Sequence, residues 1–157
     1  MSETNTKKFN LVLVQPQIPP NTGNIARTCA ATQSPFHLVG PLGFDISHKA
    51  VKRAGLDYWD YVEMYYYESF ELFEKQISGN ARWIGFSKKA KTKYTDIQYQ
   101  ENDWLFFGSE THGLPDTILE RCHIEAYIPM STTHVRSLNL ATAVAIALYE
   151  ARRQVGL

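Results

Sequence analysis

The chain has few cysteines and no long apolar run, which argues against a disulfide-rich secreted domain and against a membrane-spanning segment. Its 157 residues include two cysteines, Cys29 and Cys122, too few for the disulfide framework of a small secreted domain. The longest strongly apolar stretch, residues 138–149, is shorter than the roughly 20 residues that span a bilayer. Residues 1–8 are polar and have no apolar core of a signal peptide. We therefore expect a cytoplasmic protein without a membrane partner, in which residues 1–8 form a flexible tail.

The chain also lacks net charge, with 16 Lys and Arg against 16 Asp and Glu, which argues against attraction of the whole molecule to nucleic acid. The two signs are nevertheless separated along the sequence. Residues 82–94 contain five basic residues and no acidic one, whereas residues 96–125 contain seven acidic residues and one arginine. The basic segment, with the basic residues of 48–53, either contacts a phosphate backbone or is a solvated loop.

Metal sites and activated nucleophiles are not indicated. The five histidines show no i, i+4 pairing with a glutamate and no Cys/His spacing typical of a zinc site, so we expect no metal. Ser109 lacks the Gly-x-Ser-x-Gly pattern of a hydrolase elbow. Cys29 falls on the apolar side of the first predicted helix and Cys122 precedes a predicted strand, which favours small core side chains over nucleophiles.

Short apolar runs alternate with helical patterns along the chain, without repeats, linkers or low-complexity tracts. Strands are predicted at 9–14, 36–39, 62–67, 83–86, 104–107 and 124–128. Helices are predicted at 21–33, 48–54, 69–77, 115–121 and 138–153. This alternation predicts one α/β domain over residues 1–157, built on a mostly parallel sheet flanked by helices.

Ligands of parallel sheets bind in the loops that follow the strands, here 15–23, 87–94, 108–115 and 129–137. The first loop contains Asn-Thr-Gly-Asn-Ile-Ala-Arg at 21–27, with Asn21 as candidate helix N-cap. Free N–H groups at a helix start favour an anion such as phosphate, and Arg27 could clamp it. The alternative is simple capping beside an exposed arginine.

Two further loops carry unusual polar residues. In 108–115, two glycines allow close backbone approach to a ligand, and Glu110 either orients a cation or ribose hydroxyl or is merely solvated. Ser137 is the candidate N-cap of the last helix. Asn139 then falls in its first turn, where an amide side chain competes with helical hydrogen bonds and needs another reason to be present.

The last helix is apolar on several sides, and Ala143, Ala147 and Ala151 form a stripe of small residues at four-residue spacing. Such a stripe lets another helix approach closely. We therefore predict that the chain forms a homodimer through this helix.

Three segments, 18–27, 107–115 and 128–130 with 135–140, together resemble the three ordered motifs of the SPOUT RNA methyltransferases. The resemblance covers nearly the whole chain from Phe9 onward. It implies an α/β fold with a C-terminal trefoil knot, S-adenosyl-L-methionine as cofactor without a metal, S-adenosyl-L-homocysteine as product, and an obligate homodimer. It is strongest to the members that methylate the ribose 2′-hydroxyl of wobble nucleotide 34, a cytidine or modified uridine, in the tRNA anticodon stem-loop.

The resemblance also implies roles for individual residues. The implied catalytic residues are Arg27, Glu110, Ser137 and Asn139. The implied cofactor-binding residues are Phe86, Gly108, Ile128 and Ser137. With the basic charge of residues 82–94, we predict Arg27, Lys88, Lys89 and Arg136 as RNA-binding residues.

Some features limit this transfer of roles. An arginine is a poor base, so Arg27 is better suited to anchoring a phosphate. His112 stands where relatives often have arginine, and Ala141-Thr142 replaces a common Ser-Asn pair, which affects RNA contacts more than the fold. The alternatives are 2′-O-methylation at another tRNA or ribosomal RNA position, or a catalytically silent RNA-binding dimer.

Overall fold

Seven parallel strands form one sheet in a computed structural model that describes residues 8–46, 58–77 and 79–157. The strands are β1 Asn10–Val14, β2 Phe36–Val39, β3 Met64–Tyr67, β4 Trp83–Phe86, β5 Thr92–Lys93, β6 Trp104–Phe107 and β7 Ile124–Tyr127. Their order is β3-β2-β1-β6-β4-β7-β5, and every neighbouring pair is parallel. The predicted parallel sheet is therefore confirmed, while the two-residue strand β5 was predicted as loop.

Four α-helices connect these strands in the described residues: α1 Pro19–Thr32, α2 Phe70–Gln76, α3 Asp116–Leu119 and α4 Leu140–Gln154. Short 3₁₀ turns lie at Trp59–Tyr61 and Tyr94–Asp96. The predicted helix at 48–54 and nearly all of the predicted tail lie outside the described residues. No helix in the described ranges has both the length and the apolar character to cross a membrane.

The sheet carries helices on both faces because successive strand residues point to opposite sides. In β1, Leu11 and Leu13 join the core that contains residues of α1 and α4. Val12 and Val14 join the other core, which contains residues of α2 and α3. All four are buried, as expected for a central parallel strand covered on both faces.

Helix α1 begins two residues before the predicted start. Ile18 is its N-cap residue, and Pro19 and Pro20 occupy the first helical positions. Proline is suited to that place because its φ is already helical and its missing N–H would have no intrahelical partner. The prediction of Asn21 as the N-cap is therefore wrong, and its buried side chain is available for other contacts.

Helix α4 begins two residues after the predicted start. Its N-cap residue is Asn139, whose Oδ1 accepts a hydrogen bond from the backbone N–H of Thr142 at 3.1 Å. The prediction of Ser137 as the N-cap is wrong, because the extended chain continues through Leu138. Capping also supplies part of the reason for an amide at position 139.

The alanine stripe of α4 packs inside the chain itself. Ala147 and Ala151 are fully buried in the core shared with α1. The Arg152 guanidinium donates to the carbonyl oxygen of Thr32, at the end of α1, at 3.1 Å. Ala147 and Ala151 thus admit the chain's own helix α1 and are not free for a second copy, whereas Ala143 is half-buried and lines a cavity.

Candidate functional site

A cavity of about 290 Å³ lies at the carboxyl ends of β4, β6 and β7, which are neighbours in the sheet. The rings of Phe86 and Phe107, the last residues of β4 and β6, stack there with centroids 4.6 Å apart. All four predicted cofactor-binding residues line this cavity: Phe86, Gly108, Ile128 and Ser137. The strand order explains this convergence, because parallel strands end at one edge of the sheet.

A larger cavity, of about 420 Å³, lies at the amino ends of β4 and β7, near Trp83 and His123. Its charged residues are already paired, since Arg121 and Glu74 are 2.7 Å apart. None of the predicted site residues lines it. The cavity at the carboxyl ends of the strands is therefore the candidate site.

The tight fold of the loop after β6 depends on Gly108. A Cβ atom at this position would overlap the backbone of Gly113 and Leu114, so only glycine allows the loop to close on itself. The Gly113 N–H donates to the Ser109 carbonyl at 3.0 Å, and Gly113 has a φ of +68°, which glycine adopts without strain. The loop is thus a tight turn that fixes the direction of Glu110.

Glu110 uses both carboxylate oxygens within the chain. Its Oε1 accepts the backbone N–H of Gln17 at 2.9 Å, and its Oε2 accepts that of Ile18 at 3.0 Å. These N–H groups immediately precede α1, where negative charge is favourable. Glu110 therefore fastens the loop after β6 to the start of α1.

Asn21 connects Glu110 to the start of α4. Its Nδ2 lies 3.3 Å from Glu110 Oε2, and its Oδ1 accepts from Asn139 Nδ2 at 3.0 Å. The side chain is only 8% exposed. This Glu110–Asn21–Asn139 network joins the three loops that carry the sequence motifs. The role of Asn21 at its centre was not predicted, because asparagine at this position was interpreted as a helix cap.

Arg27 and Asn139 do not line the cavity, unlike Glu110 and Ser137. Arg27 is exposed on α1, with its guanidinium carbon 5.7 Å from the centroid of the Tyr58 ring. The Tyr58 hydroxyl donates to the Gly23 carbonyl at 2.7 Å. Within this chain, the predicted catalytic residues therefore form a cavity-lining pair and an outer pair near α1.

Basic side chains surround the mouth of the cavity. The predicted RNA-binding residues Lys88, Lys89 and Arg136 all line it. Lys89 Nζ is 3.2 Å from Asp116 Oδ1 at the start of α3. Arg82, counted with this basic segment in the sequence, instead pairs with the buried Asp103 at the opposite edge, at 2.7 Å.

The cysteines have the character of core residues. Burial raises the pKa of the Cys29 thiol far above its ordinary value and that of Cys122 to about 12, so neither is a thiolate near neutral pH. Within residues 8–46, 58–77 and 79–157, no three or more His, Cys, Asp or Glu side chains are grouped to hold a metal ion.

Comparison with known proteins agrees with this geometry. A protein from Synechocystis sp., provisionally named a tRNA (cytidine(34)-2′-O)-methyltransferase, is 53% identical over 92% of this chain and 95% of its own length. A solved structure described as giving insights into the 2-OH methylation of C/U34 on tRNA has a TM-score of 0.88. It is 45% identical and covers 97% of this chain and 93% of its own.

A further solved structure is that of an AdoMet-bound rRNA methyltransferase from Sinorhizobium meliloti. It is 25% identical with a TM-score of 0.81, over 94% of this chain and 57% of its own. Residues 8–149 match the SpoU rRNA Methylase family, which covers all three motif segments. The resemblance found in the sequence is therefore confirmed, and the chain belongs to the SpoU rRNA Methylase family.

Proposed function

We propose that this protein transfers a methyl group from S-adenosyl-L-methionine to the ribose 2′-hydroxyl of nucleotide 34 of a tRNA. Support comes from the 53% identity over 92% of the chain with the Synechocystis relative of that name. The observation that carries the proposal is one cavity that is lined by the loops of the second and third motifs and is joined to the first motif by the Glu110–Asn21–Asn139 network. The same arrangement favours an enzyme over a silent RNA-binding dimer.

The cavity suits the cofactor in chemistry and shape. Stacked phenylalanine rings and Ile128 offer an apolar surface for an adenine ring, while Gly108 presents backbone without a side chain. A volume near 290 Å³ is close to the lower bound of roughly 300 Å³ for small-molecule pockets. When bound, S-adenosyl-L-methionine supplies an electrophilic methyl group on a sulfonium, so the protein's part is orientation and proton removal.

Orientation falls to the residues at the start of α4. Ser137 lines the cavity with an exposed hydroxyl, and it holds the cofactor or the substrate ribose by a hydrogen bond. We assign Asn139 to orienting the ribose or the cofactor as well, since its hydrogen bond to Asn21 fixes the direction of its amide. Glu110 acts as a positioning residue, because its carboxylate oxygens are engaged with Gln17 and Ile18.

Arg27 anchors the substrate rather than acting as a base. A guanidinium stays protonated at every physiological pH and has no acceptor atom, so it cannot take the hydroxyl proton. It can bind a phosphate through two parallel hydrogen bonds. We assign Arg27 to a phosphate of the tRNA, and an oxygen of that phosphate accepts the proton from the 2′-hydroxyl.

Several expectations from the resemblance stay part of the proposal: the C-terminal trefoil knot, the homodimer and the cytoplasmic location. The dimer no longer rests on the alanine stripe, since Ala147 and Ala151 are buried inside the chain. Tyr149, 51% exposed on α4, is a candidate interface residue instead. Sedimentation of the purified chain as a monomer at micromolar concentration would contradict the dimer.

The experiment uses two tRNA transcripts that differ only at nucleotide 34, one with ribose and one with 2′-deoxyribose. We expect methyl transfer from labelled cofactor to the first and none to the second. Equal transfer to both would show that the methylated position lies elsewhere. No transfer to any isoacceptor would contradict the proposal as a whole.

An Arg27→Ala variant tests the assigned phosphate contact in the same assay. Methyl transfer should be lost while cofactor affinity, measured by calorimetry, stays within a few-fold of the wild type. Arg121→Ala, at the opposite edge of the sheet, is the matched control and should keep full transfer. Loss of cofactor binding in Arg27→Ala would place this residue in the cofactor site instead.

A further inference from the structure

The segment after β4 crosses the carboxyl end of β7. Phe86 at the end of β4 lies beside Ala126 of β7, and Thr92 of β5 lies beside the same residue from the other side. Residues 87–91 therefore pass over the end of β7, from the cavity to the outermost strand of the sheet. This basic segment therefore runs from the candidate site to β5, the outermost strand of the sheet.

The lysines of this segment differ in their partners. Lys88, Lys91 and Lys93 are exposed, and in the described part of the chain no carboxylate forms a salt bridge with them. We call these three the basic ridge. Lys89 is different, because its ammonium lies 3.2 Å from Asp116, which offsets its charge.

We propose that the basic ridge binds the ribose-phosphate backbone of the tRNA beside the target nucleotide, from the cavity mouth outward along β5. This inference rests on the proposed function. Lys88 lines the cavity, whereas Lys93 lies in the edge strand. Five residue steps span at most roughly 18 Å, a reach of a few nucleotides.

The surroundings of the ridge favour a nucleic acid over a protein partner. The core of a protein interface needs exposed apolar side chains. Among the exposed large apolar residues of the described chain, none falls within 87–93, and Ala90 is buried. A row of unpaired ammonium groups without apolar neighbours matches the contacts that proteins make with phosphates, irrespective of base sequence.

The ridge also explains how a chain with zero net charge attracts RNA. Arg82 and Lys89 are offset by Asp103 and Asp116, so among the salt bridges of the described residues the unpaired charge of residues 82–94 lies on three side chains. Lys89 then holds the loop after β4 against the start of α3. Lys89 therefore fixes the shape of the cavity opening, and the three lysines of the basic ridge contact the phosphates.

The test measures tRNA binding against salt concentration for the full chain. In Lys91→Gln/Lys93→Gln, the slope of log affinity against log salt should decrease in magnitude by about 1.4 to 1.8, since each lost phosphate contact removes about 0.7 to 0.9. Lys88→Gln should remove about half as much. Cofactor affinity of the double variant should equal that of the wild type, because neither residue lines the cavity.

Two control variants separate the ridge from general charge effects. Arg121→Ala removes an exposed arginine at the opposite ends of the strands, and Lys75→Gln removes an exposed lysine of α2; both should keep the wild-type slope. An unchanged slope in Lys91→Gln/Lys93→Gln would overturn the ridge, as would an equal decrease in the controls. If the wild type itself binds no tRNA, the proposed function fails before the ridge is tested.

Discussion

At the scale of single residues, burial and hydrogen bonding decide which side chains are available for chemistry. His37 is 4% exposed, its Nδ1 lies 2.9 Å from the Tyr67 hydroxyl, and its Nε2 lies 3.1 Å from Asn10 Oδ1. The Asn10 oxygen can only accept, so Nε2 carries the proton and Nδ1 accepts from Tyr67. His37 is therefore a neutral structural residue of the sheet.

His37 makes the stability of the fold sensitive to mild acid. Burial lowers the pKa of His37 from 6.5 to about 4, although Glu63 opposes the shift. Above pH 6.5 the imidazole is neutral in both states. Below pH 6.5 the unfolded chain binds a proton that the folded chain does not, so stability is lost as pH falls from 6.5 towards 4.

We expect this residue to account for about 2 kcal/mol of lost unfolding free energy between pH 8 and pH 5. Urea unfolding at several pH values measures it. His37→Gln should be less stable than the wild type at pH 8 and should lose less on acidification. His134→Gln, in an exposed loop, should follow the wild type. Parallel curves for wild type and His37→Gln would show that His37 does not cause the decline.

At the scale of elements, the strands, most helices and the start of α2 could be predicted, whereas the starts of α1 and α4 could not. Short apolar runs bounded by turn residues marked six of the seven described strands. The start of α1 was misplaced because Asn21 is a good N-cap by type, yet Pro19 and Pro20 already supply helical φ. The start of α4 was misplaced because Ser137 and Asn139 are both good caps, and only the path of the chain selects between them.

Asn139 has two roles that substitution can separate. Asn139→Asp keeps the Oδ1 acceptor for the Thr142 N–H but loses the Nδ2 donor to Asn21. Because aspartate caps as well as asparagine, unfolding free energy should stay near that of the wild type. Methyl transfer should fall at least about tenfold, which corresponds to about 1.4 kcal/mol in the barrier.

Asn139→Ala is the comparison variant, because it removes both the cap and the donor. It should lose about 1 kcal/mol of stability and also lose methyl transfer. Denaturant unfolding and the tRNA assay measure the two effects independently. Full activity in Asn139→Asp would show that this residue serves α4 only as a cap.

At the scale of the whole molecule, the two ends of the strands carry different groups. The motif loops, the cavity and the unpaired lysines lie at the carboxyl ends. The Arg82–Asp103 pair lies at the amino ends of the strands, and both Asp103 oxygens accept from the guanidinium, at 2.9 and 2.7 Å. The unpaired lysines thus lie at the ligand site, whereas the charge of Arg82 is offset by Asp103.

How far the site could be predicted follows from the same organisation. The motif loops were predicted because each follows an apolar strand, and the resemblance assigned Phe86, Gly108 and Ile128 to one pocket. The Glu110–Asn21–Asn139 network could not be predicted, because it joins segments far apart in the chain and depends on the strand order. The single-domain assignment over 1–157 stays a prediction.

The central claim is methylation of the ribose at tRNA nucleotide 34, and nucleoside mass spectrometry of that position tests it most directly. Total tRNA is compared between cells with and without the gene, with an Arg27→Ala copy as a third sample. We expect 2′-O-methylation at nucleotide 34 of one or more isoacceptors in wild-type cells and its loss in the other two samples. Identical wobble nucleosides in all three samples would contradict the account.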